Sequence, residues 1–396
     1  MLAIAGSSQA ENNIINFAAL THSDQQEVVL RQQISLFERL NPQIKVRLRM
    51  LHGENYPELL TNYKKVANNV DVLNWYSGNR LKQLVKEQYV TSIDEFWYNN
   101  NLHAVFSDAT IEQVSIQDKV YAVPFSMYVW EVFYKKSVFE KFGLTSPTNW
   151  QDFMSMASTL KSHNIKPIGL GSEPPWQVVA WFDYLMLRIN GAKHYKALVS
   201  GNLAFTSPEV VSVFTHWKQL LDQDLFNDNH HLYNGEEIMP LVYREIVGVN
   251  LSGSISLSGL PKYVQDDIAS FSFPQVGKYK DNSILAPMSA IALTQKGKLK
   301  PASKTLMAFF SQYNTQKMLN DAMQTISPIL STENNHSALV DDIHSADQIF
   351  QFLDREMSFE MAEFSKRTMA DFLKHQNIKK VTESLEAFRL QQKEQQ

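Results

Sequence analysis

The chain has 396 residues, with 37 Lys and Arg against 41 Asp and Glu, and a formal charge of −4. That balance excludes a generally cationic nucleic-acid binder, and the absence of Cys excludes disulfides, thiolate nucleophiles and zinc–thiolate sites. At 44% hydrophobic and 20% charged, with 14 Gly and 14 Pro, the composition is that of a folded protein with a large core, and the length favours two domains.

The first ten residues, MLAIAGSSQA, run apolar and then small. Ser8-Gln9-Ala10 has the small residues a signal peptidase accepts, so residues 1–10 read as the remnant of a secretory signal or as a frayed terminus. Residues 14–20 form an apolar strand candidate. Ser23-Asp24, with Glu27 three residues beyond Asp24, then starts a helix. Its buried stripe is Leu30, Ile34, Phe37 and Leu40, and Asn41-Pro42 stops it. Ile44, Val46, Leu48 and Met50 alternate with Lys45, Arg47 and Arg49, the period of a half-buried strand, which completes a βαβ unit.

A helix over 57–67, a strand over 70–74 and a helix over 78–89 follow. The same grammar returns later, with helices over 150–163 and 177–189 flanking a strand at 166–170, and another strand at 245–251. This alternation implies an α/β fold of two similar lobes, each a mostly parallel sheet flanked by helices. Tyr121-Ala122-Val123-Pro124 is the first hinge candidate, because Pro124 continues neither a ladder nor a helix. Return crossings are placed near Phe273-Pro274 to Pro287 and near Ile326-Ser327-Pro328. The first lobe then takes residues 11–122 plus about 286–326, and the second takes 123–285 plus about 327–390. Helical spacing covers 304–323, 346–364 and 367–390, and the polar end 391–396 is expected to be disordered. No later stretch supplies the ~18 apolar residues of a membrane span.

Open α/β sheets bind ligands beyond the carboxyl ends of their strands, so the residues that follow each strand are the candidates. After 70–74 stand Trp75, Tyr76, Asn79 and Arg80; after 166–170 stand Glu173 and Trp176, then Trp181 and Asp183; after Val247-Gly248-Val249 come Asn250, Ser252 and Gly253. Tyr128, Trp130 and Glu131 lie by the hinge. A sugar ring lays a C–H face on Trp or Tyr while its hydroxyls need donors and acceptors from planar polar groups, and these residues supply both. Trp97, Trp150 and Trp217 read as packing residues; Trp181 carries a core reading beside the ligand one, and Glu131 and Asp183 carry an ion-pair reading. The Gly-x-Ser-x-Gly, P-loop and His-Glu-x-x-His patterns are absent. His230-His231 with Glu236-Glu237 reads as a solvated loop, and neither a metal nor a cofactor is expected.

The strings DVLNWYSGNRLKQLVKEQYVTSIDEF (71–96), KVYAVPFSMYVWEVFYKKSVFEKFGL (119–144) and TNWQDFMSMASTLKSHNIKPIGLGSEPPW (148–176), with the run from Trp181 to Asp222, occur in the order and spacing of family landmarks. On them the chain resembles the extracellular solute-binding proteins of carbohydrate ABC importers, the group that includes maltodextrin-binding proteins. The resemblance implies two lobes of the periplasmic-binding-protein type joined by three crossings. It implies a non-catalytic monomer in the periplasm that closes on a carbohydrate and presents it to membrane permease subunits. It carries ligand contact over to Trp75, Asn79, Arg80, Tyr128 and the turn from Glu173 to Trp176. Around Asn250 to Ser254, where oligosaccharide binders often carry an aromatic platform, this chain has Ser252, Gly253, Ser254 and Ile255; that departure favours a smaller sugar or a different glycan over a long maltodextrin. Two rival readings stand beside it: a secreted glycosidase using carboxylates drawn from Glu131, Glu173 and Asp183, and a sensor that hands the closed form to a receptor kinase.

Overall fold

The structure is a computed structural model that describes residues 13–21, 24–52, 56–257, 260–279, 282–330 and 338–394. The signal-remnant reading of residues 1–10 and the Ser23 cap lie outside the described residues. In chain order the sheet-forming strands are β1 (Ile14–Thr21), β2 (Lys45–His52), β3 (Val72–Tyr76), β4 (Ala122–Met127), β5 (Trp130–Lys135), β6 (Lys166–Gly169), β7 (Val247–Gly253), β8 (Ile268–Phe271) and β9 (Met288–Leu293). The principal helices are α1 (Asp24–Leu40), α2 (Tyr56–Asn69), α3 (Asn79–Lys86), α4 (Trp150–Ser162), α5 (Trp176–Val199), α6 (Pro208–Asp222), α7 (Pro301–Phe310), α8 (Tyr313–Met323), α9 (Leu353–Glu356), α10 (Phe359–His375) and α11 (Ile378–Glu394).

The chain divides into two compact units, residues 1–128, 286–345 and 349–351 in the first and residues 129–285, 346–348 and 352–396 in the second. The boundaries differ from the expected ones in two places. Residues 123–127 stay in the first unit because Ala122–Met127 is a fully buried strand of its sheet, so the chain leaves only after Tyr128, and Pro124 sits inside a strand rather than in a hinge. Residues 327–345 also stay in the first unit, and the last crossings fall between 345 and 352. The helix expected over 346–364 is accordingly broken, with Ile349–Phe350 extended and helix resuming at Leu353.

The first unit holds a five-stranded sheet of order β2-β1-β3-β9-β4, in which β1 runs parallel to β2 and β3 while β9 is antiparallel to both neighbours. The edge strand β2 keeps the expected alternation, its Lys45, Arg47 and Arg49 exposed and Val46, Leu48 and Met50 half-buried. Phe17 and Phe125 converge on Phe310 of α7 at 5.6 and 5.4 Å, where the apolar stripe of that helix covers the sheet. The second unit holds a four-stranded sheet of order β8-β5-β7-β6, in which β6 and β7 are parallel and β5 is antiparallel to β7 and β8. Helix α5 packs here. It is buried along nearly its whole length and breaks its helical angles at Gly191, which takes a φ of 77° open to glycine. The expected packing residues Trp97 and Trp217 are fully buried, and Trp150 stacks on Phe153 at 5.4 Å.

Each sheet is therefore mixed, with one reversed strand set between strands that share a direction. That reversed strand is the one entered directly after a crossing: β5 begins one residue after the chain enters the second unit at Val129, and β9 two residues after it returns at Ala286. A strand entered by a short connection rather than a crossover helix starts where its neighbours end. Hence Trp130 lies opposite Gly253 at the carboxyl end of β7, and Ser289 lies opposite Tyr76 at the carboxyl end of β3. Helix α11 runs to Glu394, so residues 391–394 are helical and not the disordered tail that composition suggested. Gln, Lys and Glu are good helix formers even at a polar terminus.

Candidate functional site

In the second unit the carboxyl edge is built from the start of β5, the end of β7 and the turn after β6. Trp130 is 3% exposed and packs edge-on against two further rings, Trp176 at 5.6 Å and Phe352 at 4.8 Å. Its backbone carbonyl accepts the Tyr184 hydroxyl, which holds the strand start down on α5. Its indole Nε1 has no hydrogen-bond partner among the described residues. Trp176 opens α5 and is half-buried. Gly235 lies so close that a Cβ there would stand 2.6 Å from the indole Cη2, and only a residue without a side chain lets the backbone rest on the ring.

The turn between β6 and α5 is tied down through consecutive backbone N–H groups. Leu170 donates to Asn227 Oδ1 at 2.8 Å, Gly171 to Gln177 Oε1 at 2.8 Å, Ser172 to the His230 carbonyl at 3.0 Å and Glu173 to the Tyr233 carbonyl at 3.1 Å. The Ser172 hydroxyl and His230 Nδ1 are 2.7 Å apart, and burial, with the positive charges of His231 and Lys374, holds the His230 imidazole below its ordinary value. His230 therefore pins the turn through both its carbonyl and its ring. Gln177 continues inward from Gly171, its Nε2 donating to Asn250 Oδ1 and to the Leu251 carbonyl, both at 2.8 Å. Asn250 is fully buried, and its Nδ2 has no partner among the described residues; the same holds for the buried Ser254 hydroxyl. Glu131 is buried opposite Ser252, and Glu173 is exposed.

In the first unit the corresponding edge is the end of β3. Trp75 and Tyr76 are its last two residues, buried, with rings 5.7 Å apart. The sequence reading set both just beyond the strand. Pairing with β9 draws the strand two residues further, through Ser289 opposite Tyr76. Gly78, at a φ of 65°, turns the chain into α3, which places Asn79 and the buried Arg80 in its first turn. The Ser77 hydroxyl accepts the Gln351 side-chain amide at 2.9 Å, and the Ser77 N–H reaches the Met288 carbonyl at 3.0 Å. Tyr128 is half-buried, its N–H directed at the Pro287 carbonyl at 3.3 Å.

The structure thus groups Trp130, Glu131, Trp176 and Asn250 around one sheet edge, and Trp75, Tyr76, Asn79 and Arg80 along another. It does not bring Trp181 or Asp183 there. Trp181 is fully buried edge-on between Phe226 and Phe273, at 5.3 and 5.5 Å. Asp183 is fully buried, accepts the Leu353 N–H at 3.0 Å and hydrogen-bonds Tyr195, and burial pushes its carboxyl well above the usual range. Both are core residues because the whole helix, not one stripe, is enclosed. Asn250 and Ser252 lie within β7 and not after it. Two residues of the edge carried no sequence signal. Gln177 looked like any polar residue in a helix's first turn, and Phe352 fell inside a stretch with helical spacing.

Comparisons with known proteins agree with this architecture. The multiple sugar-binding protein of Streptococcus mutans is 20% identical over 407 aligned residues, covering 96% of this chain and 91% of that protein. A putative periplasmic-binding protein of an ABC transporter from Escherichia coli, YcjN, is 23% identical over 213 residues, 53% of this chain and 49% of that one. Among solved structures, the solute receptor AcbH, described as preferring β-D-galactopyranose exclusively, superposes with a TM-score of 0.85 at 21% identity, over 96% of this chain and 99% of that one. Maltose-bound MalE3 of T. maritima superposes with a TM-score of 0.74 at 14% identity, over 95% and 98% of the two chains. The family model described as bacterial extracellular solute-binding protein matches residues 21–316, and this chain belongs to that family.

Proposed function

We propose that this protein is the periplasmic sugar-capturing component of an ABC importer, binding one small neutral sugar and delivering it unaltered to permease subunits as a monomer. The observation that carries the reading is the edge of the second unit. A half-buried indole, Trp176, stands against a second one, Trp130, and two buried donors have no partner among the described residues: Trp130 Nε1 at the start of β5, and Asn250 Nδ2 inside β7 where it passes the end of β6. A buried donor left without an acceptor costs about 1–3 kcal/mol, and a sugar supplies both hydroxyl acceptors and an apolar face for stacking. Trp75, Tyr76, Asn79, Arg80 and Tyr128 are the first unit's proposed share, and Glu131 and Glu173 the second unit's.

A glycosidase reading loses Asp183, whose carboxyl is occupied with Leu353 and Tyr195 inside the core. Titration calorimetry against β-D-galactopyranose, maltose and stachyose, with product analysis of the same mixtures, tests the function. Stoichiometric binding with intact sugar is expected; turnover, or binding of none of these, refutes it. Trp176→Ala is expected to weaken the sugar that binds by about tenfold or more, through loss of stacking.

A further inference from the structure

The amide of Gln177 has one arrangement that suits its surroundings. Its Oε1 lies 2.8 Å from the Gly171 N–H, a group that can only donate, and its Nε2 lies 2.8 Å from the Leu251 carbonyl, a group that can only accept. Turning the amide over would set two donors and two acceptors face to face. With Nε2 so placed, the neighbour it reaches at 2.8 Å must offer an oxygen, so Asn250 turns Oδ1 toward Gln177. What remains is the Asn250 Nδ2, fully buried at the point where β7 passes the end of β6, through Gly169 opposite Asn250, and without a partner among the described residues.

We propose that Asn250 is the specificity-determining hydrogen-bond donor of the sugar site, and that Gln177 is the positioning residue that fixes it as a donor rather than an acceptor. The inference deepens the sugar-binding reading and rests on it. An asparagine on its own can present either group to a ligand. Here the backbone groups of Gly171 and Leu251, read through one glutamine, leave only the donor side of Asn250 without a partner among the described residues. The other group at this edge with a single possible role, the Trp130 indole N–H, is also a donor. The recognised part of the ligand is therefore an acceptor, a ring oxygen or a hydroxyl lone pair. A ligand group that only donates is rejected there, because a buried donor left facing another donor gains no bond and both lose water.

The test is titration calorimetry of the full chain with β-D-galactopyranose, maltose and stachyose at about pH 7.5 and about pH 4.5, each variant compared with the natural protein at the same pH. Asn250→Asp keeps the shape and replaces the donor by a carboxylate. It is expected to weaken the sugar that binds by about tenfold or more at the higher pH, and to recover much of that loss at the lower pH, where burial of position 250 favours the protonated carboxyl, which donates again. Gln177→Glu is expected to follow the same pattern, since its carboxylate faces the Leu251 carbonyl and turns the Asn250 amide around until it is protonated. Asn250→Leu is expected to lose affinity equally at both pH values.

Natural affinity in Asn250→Asp at the higher pH overturns the donor role, as does a loss that does not change with pH. Natural affinity in Gln177→Glu overturns the positioning role. If the natural protein binds none of the three sugars, the functional reading falls first and this assignment with it. Should Asn250→Asp fail to fold, Asn250→Ser, whose hydroxyl still donates, is expected to keep more affinity than Asn250→Leu, and equal loss in the two overturns the proposal.

Discussion

Adding a single methyl group at Gly235 separates ligand binding from stability. The Cβ of Gly235→Ala would stand 2.6 Å from Trp176 Cη2, 2.7 Å from Cζ2 and 3.2 Å from Gln177 Oε1. Carbon atoms rest about 3.5–4.0 Å apart, so the indole must shift by about 1 Å, which disturbs its edge-on contact with the Trp130 ring at 5.6 Å. The overpacking costs about 1–3 kcal/mol, and part of an edge-to-face contact worth about 0.5–1.5 kcal/mol goes with it. Alanine's stiffer unfolded chain returns about 0.4–1 kcal/mol. The net destabilisation is then about 1–3 kcal/mol, while displacement of the stacking face weakens the sugar by about tenfold. Gly143→Ala is the control. At a φ of +63° with nothing within 4 Å of its Cβ, it costs about 1–2 kcal/mol in backbone strain and touches no ring. Urea unfolding and titration calorimetry on both variants decide the matter. Unchanged affinity in Gly235→Ala, or an equal loss in Gly143→Ala, refutes the assignment of Trp176.

Three further outcomes follow from the packing and charge of the units. Asp183 binds its proton more tightly when folded, because burial raises its carboxyl, so it makes stability fall as pH rises above the unfolded carboxyl range of about 3.9; Asp183→Asn should flatten that fall, and parallel stability curves for the two proteins would contradict it. Glu386 is displaced the other way, held low by its hydrogen bond with Arg389, so its contribution is present above about pH 4.3 and lost in acid; Glu386→Gln should lose stability near neutral pH but not in acid, as followed by thermal unfolding. In the first unit, a Cβ at Gly297 would fall 1.9 Å from the Asp71 carbonyl oxygen, which accepts both the N–H and the hydroxyl of Thr294 at 3.2 Å. Gly297→Ala should cost about 3–5 kcal/mol, from overpacking and two weakened hydrogen bonds, and a loss under about 1 kcal/mol by urea unfolding would show that the strand yields easily.

The α/β class, both lobes and most elements were legible because each rests on local periodicity. Leu30, Ile34 and Phe37 mark the buried face of α1, and the alternation from Ile44 to Met50 marks an edge strand, whatever they pack against. Of the candidate site, Trp176 was legible as the residue that opens the helix beyond β6, whereas Trp75, read as following its strand, lies within β3. Asp183 was not legible. A carboxylate in a helix reads as solvated until the helix proves to be enclosed all round, and enclosure is a property of neighbours brought from elsewhere in the chain.

What the sequence determined by itself was the alternation of strand and helix, the absence of thiol chemistry and the set of rings and planar polar groups placed near strand ends. The tertiary structure alone decided that β5 and β9 run against their neighbours, that Pro124 lies in a strand, and that Gln177 Nε2 meets Asn250 Oδ1. Periodicity and capping act over a few residues and leave a mark in the local pattern. Strand direction and amide orientation are set by hydrogen-bond partners such as Leu251 and Gly171, 74 and 6 residues from Gln177. No local pattern records which distant group will satisfy a given donor.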